Sequence, residues 1–302
     1  MKPINIAAID IGSNGARLLI KRFDADATNE NERIKKLMFI RVPLRLGKDV
    51  FSLGKISKER EKMMLHMMKG FKQFMKLHNV EHYRACATSA MRDAENGKHV
   101  IKKIEHQTGI RLEIIKGQEE AQLLVNNLVE KTDSNEGNFA YIDVGGGSTE
   151  VSLIHDGVLA ESMSYNIGTL RLLSGKVKPE TEKLFRENLS RYAKQYGNIR
   201  IIGSGGNINK LNKLAHHADN NKELSRTELQ RLYEMIQPLC IEERQISFGL
   251  KDDRADVITP AAEIFLHACN YLKCDTIIVP NISLADSIVD GIYEKLNEKD
   301  VM

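Results

Sequence analysis

The chain has 302 residues, 42% of them hydrophobic, and its 44 basic and 41 acidic side chains leave a net charge of +3. That length exceeds what one core usually fills, so two domains of roughly 100 to 200 residues are expected, and so balanced a charge gives no sign of a nucleic-acid partner. No apolar run of about 18 residues is available to span a bilayer, and Met1-Lys-Pro-Ile leads into a strand without a signal-peptide pattern. A cytoplasmic protein with no membrane partner is therefore expected. Cys86, Cys240, Cys269 and Cys274 lack Cys-x-x-Cys spacing, which points to buried thiols and not to zinc or disulfides.

In chain order, apolar runs at 3–9, 15–22 and 36–42 predict an opening meander, punctuated by Gly12 to Asn14 and by the polar stretch Asp24 to Glu32. A long helix follows, with Met63, Met64, Met67, Met68, Phe71, Phe74 and Met75 at helical spacing as its core face. Next come a strand at His82 to Ala87, a helix from about Asp93, a strand at Leu112 to Ile115 and a helix from about Gln118. From Phe139 the scheme restarts, with a hairpin through Thr149 to Ile154 and Gly157 to Tyr165, helices, a strand at Ile199 to Ile202, further helices, a strand at Asp275 to Val279 and a last helix over Leu284 to Leu296. A meander followed by α/β alternation, given twice, predicts two similar mixed α/β domains with a cleft between them.

Three loops carry the chemistry. Ile6-Ala-Ala-Ile-Asp10-Ile-Gly12-Ser13-Asn14 and Phe139-Ala-Tyr-Ile-Asp143-Val-Gly145-Gly146-Gly147-Ser148-Thr149-Glu150 are near-copies, each an apolar strand that ends on an aspartate and enters glycine-rich backbone. Ile201-Ile-Gly203-Ser204-Gly205-Gly206-Asn207 is the third. Closely spaced anionic oxygens are best met by backbone N–H groups, and glycine lets the main chain approach them. A strand-end aspartate can hold a hard cation facing the phosphates. Singly, an Asp-x-Gly turn is only a hairpin; the duplication argues for a phosphate grip. Asp143 is the leading metal candidate, supported by Glu150 and Asp10. Gly145, Gly146, Gly147, Ser148, Ser13, Asn14, Gly205 and Gly206 are candidate phosphate donors, and Arg17, Arg45 and Arg92 candidate guanidinium clamps. Glu119 and Glu120 open a helix, where the dipole favours carboxylates whatever their function, and either is suited to orient an attacking water. No histidine invites a nucleophilic role: His216 and His217 are adjacent and face different ways on a helix, and the others are scattered.

The segments Asp10-Ile-Gly-Ser-Asn-Gly-Ala-Arg17-Leu, Arg45-Leu-Gly47, Ala87-Thr-Ser-Ala-Met-Arg92, Gly117-Gln-Glu119-Glu120-Ala121, Asp143 to Glu150, Ile167-Gly168 and Arg254-Ala-Asp256-Val-Ile resemble, in order, the exopolyphosphatase and guanosine pentaphosphate phosphohydrolase family. The resemblance implies the superfamily of acetate and sugar kinases, chaperones and actin, with two ribonuclease-H-like (actin-like ATPase) domains and an interdomain cleft, here assigned to 1–120 with 287–302 and to 121–286. The length is similar to that of short members made of those two domains alone. The resemblance also selects Glu120 over Glu119 as the catalytic residue and suggests a homodimer. It implies hydrolysis of the terminal phosphoanhydride of inorganic polyphosphate with Mg2+, Mn2+ being the other candidate ion. The alternatives are guanosine pentaphosphate as substrate, a catalytically weak polyphosphate- or nucleotide-binding regulator, and a small-molecule kinase. Two departures stand out: Gly15 replaces a hydroxyl residue, and Ala285 occupies a place where the family has arginine.

Overall fold

The structure is a computed structural model that describes residues 2–27, 29, 33–131, 136–216 and 222–300. It divides into two compact units, residues 1–127 with 283–302 and residues 128–282.

In the first unit, β1 (Ile4–Ile11), β2 (Ala16–Phe23) and β3 (Ile34–Val42) form an antiparallel meander. The helices α1 (Leu46–Leu53) and α2 (Lys58–Leu77) lead to β4 (His82–Ala87), and α3 (Ser89–Asp93) and α4 (Gly97–Thr108) lead to β5 (Leu112–Ile114). Both of these strands run parallel to β1, so the sheet order is β3-β2-β1-β4-β5. The helix α5 (Gly117–Lys131) then carries the chain into the second unit.

There the meander is β6 (Asn138–Val144), β7 (Thr149–His155) and β8 (Val158–Tyr165). It is followed by α6 (Thr169–Leu173), α7 (Pro179–Tyr196), β9 (Ile199–Ser204), α8 (Gly206–His216), β10 (Glu223–Ser225), α9 (Arg226–Ile236), α10 (Ile241–Phe248), α11 (Asp252–Ala255), α12 (Ile258–Leu272) and β11 (Thr276–Ile278). The order β10-β11-β9-β6-β7-β8 repeats the first sheet, with β6 in the place of β1 and β10 added antiparallel at the edge. Two sheets of matching order meet the ribonuclease-H-like expectation. The last helix, α13 (Leu284–Asp300), returns to the first unit.

Packing explains the patterns. Central strands are covered on both faces, so β1 is a nearly continuous buried run. Ser57 caps α2 by accepting the Arg60 N–H at 3.2 Å. The core stripe of α2 is narrower than the methionine pattern predicts: Met64, Met67, Met68, Phe71 and Met75 are buried, while Met63 and Phe74 are 36% and 37% exposed. At 100° per residue those two step off the inward face. The helix expected from Asp93 starts instead as α3 and breaks at Ala94, whose backbone is extended, before α4 begins at Gly97. A Cβ on Gly97 would meet the Met91 carbonyl oxygen at 2.3 Å, so only glycine lets the chain re-enter there. The thiol expectation holds for Cys86, Cys269 and Cys274, but Cys240 is exposed, because it sits at the start of an amphipathic surface helix with no buried residue. Burial pushes the Cys86 and Cys269 thiols up to about 12.

A buried ionic clasp holds α13 to the first sheet. Lys21 on β2 donates to Asp290 Oδ1 at 2.9 Å and lies 3.1 Å from Asp286 Oδ1. Ser283 caps the helix through Asp286 Oδ2, its hydroxyl donating at 2.7 Å. Among the described residues, no helix is long and apolar enough to cross a membrane.

Candidate active site

Within the first unit, the loops named by the sequence gather at the C-terminal ends of the parallel strands, where open α/β sheets bind ligands. The β1–β2 turn is closed by the Gly12 N–H donating to Gly15 O at 3.0 Å. The Ser13 carbonyl accepts from the Gly47 N–H (2.8 Å) and the Asn14 carbonyl from the Arg45 N–H (2.9 Å), with Arg45 at φ 52°. The buried Ser13 hydroxyl is 2.8 Å from that of Ser89. Thr88 N–H donates to Ile11 O and Ile115 N–H to Ala87 O, both at 3.1 Å, and Arg92 Nη1 donates to Ile115 O at 2.9 Å. Ser13, Asn14, Arg45 and Arg92 are therefore brought onto one stitched edge. Asp10 faces Arg17 across the β1–β2 ladder and accepts its Nη1 at 2.5 Å.

Glu119 and Glu120 both lie in the first turn of α5, just beyond β5, yet their surroundings differ. Glu119 is 44% exposed and accepts from Arg84 Nη2 at 2.5 Å, with Glu113 sharing the same guanidinium. Glu120 is 7% exposed. Successive helical residues point about 100° apart, so one carboxylate reaches the surface pair and the other turns inward.

The second unit repeats the turn with different chemistry. Gly145 N–H donates to Ser148 O at 2.9 Å, matching the Gly12 bond. Asp143 stands where Asp10 stands, but its ladder partner is Glu150, not arginine. Carboxylate oxygens of Asp143 and Glu150 lie within 4.8 Å, and Glu150, 1% exposed, accepts from the Ser164 hydroxyl at 2.9 Å. The carbonyls of Gly145 and Gly146 accept N–H groups of Thr169 (3.0 Å) and Leu170 (2.8 Å) at the start of α6. Gly147 O accepts Arg171 Nε at 2.6 Å. With these carbonyls engaged, the N–H groups of Gly146 and Gly147 donate to no backbone acceptor among the described residues; the same is true of Ser13. The loop tolerates no side chain against it, because a Cβ on Gly168 would lie 2.5 Å from Gly147 backbone atoms. Ser148, 2% exposed, closes the turn.

The third loop abuts the second. Gly205 has φ +104°, and a Cβ there would come within 2.9 Å of Asp143 Oδ1. The Gly206 carbonyl accepts the Arg254 guanidinium. Asp143, Glu150, the triple glycine, Gly205 and Gly206 thus share one neighbourhood. Asp143 and Glu150 form an all-oxygen donor pair, the set suited to a hard cation such as Mg2+ or Mn2+.

Sequence reasoning did not assign roles to Ser164, Arg171 or Arg254. Ser164 was accessible through register, since it lies opposite Glu150 once β7 and β8 are paired. Arg171 and Arg254 hold loop carbonyls from later helices, and no local spacing rule reports such contacts. Ala285 is wholly buried in the first turn of α13. His155 ends β7, and Asp156 and Gly157 form the β7–β8 turn, with Asp156 at φ 46° and Gly157 at φ 75°. His217 lies outside the described residues, as do residues 28 and 30–32 of the polar stretch after β2.

The family model described as the Ppx/GppA phosphatase family matches residues 26–296. A bifunctional 3-dehydroquinate synthase/phosphatase of Fusobacterium nucleatum is 27% identical over 96% of this chain and 47% of its own length. A guanosine-5'-triphosphate,3'-diphosphate pyrophosphatase of Aliivibrio fischeri is 25% identical over 99% of this chain and 61% of its own. The chain therefore spans about half to three fifths of the length of these curated relatives. Among solved structures, an exopolyphosphatase from Cytophaga hutchinsonii superposes with a TM-score of 0.85 at 23% identity, covering 96% of this chain and 98% of that one. The Aquifex aeolicus member of the Ppx/GppA protein family gives 0.77 at 24%, covering 98% and 99%. With its two-sheet fold and a family match that runs through nearly every loop described above, the chain belongs to the Ppx/GppA phosphatase family.

Proposed function

We propose that this chain hydrolyses the terminal phosphoanhydride bond of inorganic polyphosphate with the help of Mg2+. The observation that carries the reading is the buried Glu120 carboxylate at the strand-end edge that also holds Ser13, Ser89 and Arg92. A carboxylate there can orient a water and accept its proton without clamping the anion, while Glu119 is occupied by Arg84. The N–H groups of Ser13, Gly146 and Gly147, which meet no backbone acceptor among the described residues, would take the phosphoryl oxygens, and the guanidinium of Arg92 would fix the terminal group in line with the water. Asp143 and Glu150 would hold the cation, with Asp10 further from that role because it is neutralised by Arg17. When bound, the ion supplies charge neutralisation on the phosphoryl oxygens. The solved exopolyphosphatase of the same fold supports polyphosphate as the substrate class.

Guanosine pentaphosphate is the second reading, favoured by the Aliivibrio relative. Phosphate release from long-chain polyphosphate, tripolyphosphate, guanosine pentaphosphate and ATP, with and without Mg2+, separates the two. We expect turnover of polyphosphate and a fall in kcat of about 10²- to 10⁴-fold in Glu120→Gln with KM little changed. Equal turnover by Glu120→Gln would overturn its assignment, and release only from the nucleotide would favour the second reading. A cytoplasmic location and a homodimer belong to the same proposal.

A further inference from the structure

The helices α2 and α4 of the first unit run side by side in the same direction. Asn96 clips their starts, accepting the Ile56 N–H at 2.9 Å and donating to Ile56 O at 2.8 Å, and Lys72 Nζ reaches Thr108 O at 2.5 Å near their far ends. Between and along them lie two adjoining cavities of about 550 Å³ and about 430 Å³, with Gln107 lining both. The first is edged by Lys58, Lys62 and His99, the second by Lys69 and Lys76. From Lys58 to Lys76 the trough follows α2 for about 27 Å at 1.5 Å per residue. Asn96, which clips the helix starts, is four residues from Arg92 along the chain.

The charge on these two helices is out of proportion to the rest. In α2 six lysines and arginines stand against two glutamates, and in α4 three lysines against one. That surplus of six sits on a chain whose total is +3, so the remainder is net acidic. Lys103 is taken by Glu61, but Lys58, Lys62, Lys69 and Lys76 carry no ion pair among the described residues. Scattered lysines would be ordinary surface chemistry; a continuous row beside a groove attracts a polymer of negative charge. Single-stranded nucleic acid is poorly served, because no Phe, Tyr or Trp lines the trough to stack bases. A membrane is too, because the apolar Leu65, Val100 and Ile104 line the groove between the helices and do not form the wide apolar face of an interfacial helix. A bare chain of phosphates asks only for repeated cations.

We propose that the α2–α4 trough is a second, non-catalytic binding surface for the body of an inorganic polyphosphate chain. The proposal rests on polyphosphate being the substrate, but its test reads binding and not turnover. Labelled long-chain polyphosphate is titrated, with EDTA present, into the full chain carrying Glu120→Gln, and into the same chain with Lys58→Gln, Lys62→Gln, Lys69→Gln and Lys76→Gln added. The expected result is affinity about tenfold weaker or more, and a salt slope shallower by roughly 3 for four lost contacts. In the chain with Glu120 intact, the four substitutions should leave tripolyphosphate hydrolysis unchanged. On the unsubstituted protein, hydrogen exchange should show polyphosphate protecting 58–77 and 97–108, a readout that needs no variant. Unchanged long-chain affinity, or no protection of these helices, overturns the proposal. So does tighter lysine-dependent binding of polyuridylate or phosphatidylserine vesicles than of polyphosphate. Lysine-dependent binding without any polyphosphate hydrolysis would uphold the trough and sink the catalytic reading; hydrolysis with lysine-independent binding would do the reverse.

Discussion

Asp10 and Asp143 occupy the same place in two hairpins and face opposite charges, Arg17 in one and Glu150 in the other. The first carboxylate is neutralised within its own ladder, whereas the second is doubled, an arrangement that a divalent cation would relieve. Asp143→Asn is therefore expected to raise the half-saturating Mg2+ concentration about tenfold or more, measured by phosphate release across a Mg2+ titration. A Mg2+ response equal to wild type would remove Asp143 from the proposed ligands. The distinction between the two aspartates was only half legible in the sequence. Both Asp-x-Gly signals were visible, but which residue faces each aspartate depends on hairpin register. The split between Glu119 and Glu120 likewise rests on where Arg84 lies on the neighbouring strand.

At the scale of the element, the hairpin turns and the helices that lean on them act as one piece. The start of α6 donates to the triple-glycine loop, and Gly168 packs directly on it. Gly168→Ala places a methyl group 2.5 Å from backbone and should cost about 1–3 kcal/mol or more, read by chemical denaturation. Gly205→Ala combines a left-handed φ with a contact on Asp143, so it should cut activity more than it cuts stability. Stability loss without activity loss would contradict that. Strands and long helices were legible because they follow periods of two and 3.6 residues. Three features were not. The helix α1 is short and follows a residue in left-handed conformation, the break before α4 depends on Met91 packing against Gly97, and β10 is three residues long.

Over the whole molecule, the repeated sheet order was foreseeable from two successive meanders, but the Lys21–Asp286–Asp290 clasp joins residues that no local pattern connects. Burial by itself would raise the Asp286 carboxyl; Lys21 and the Ser283 hydroxyl outweigh it and hold the group below its ordinary value. Because the folded value is the lower one, the stabilisation is present above the unfolded carboxylate range and is lost as pH falls through the folded value. Asp286→Asn should thus cost about 1–3 kcal/mol near neutral pH, with Asp290 still holding Lys21. The gap between variant and wild type should close below about pH 4. Denaturation curves from pH 3 to 7 check this, and a pH-independent gap would contradict it. The return of α13 also sets the order in which a ribosome can complete the molecule. Residues 128–282 form an uninterrupted unit that can finish folding once it has emerged. The first unit, although made first, must wait with Lys21 lacking both aspartate partners until the closing helix is translated.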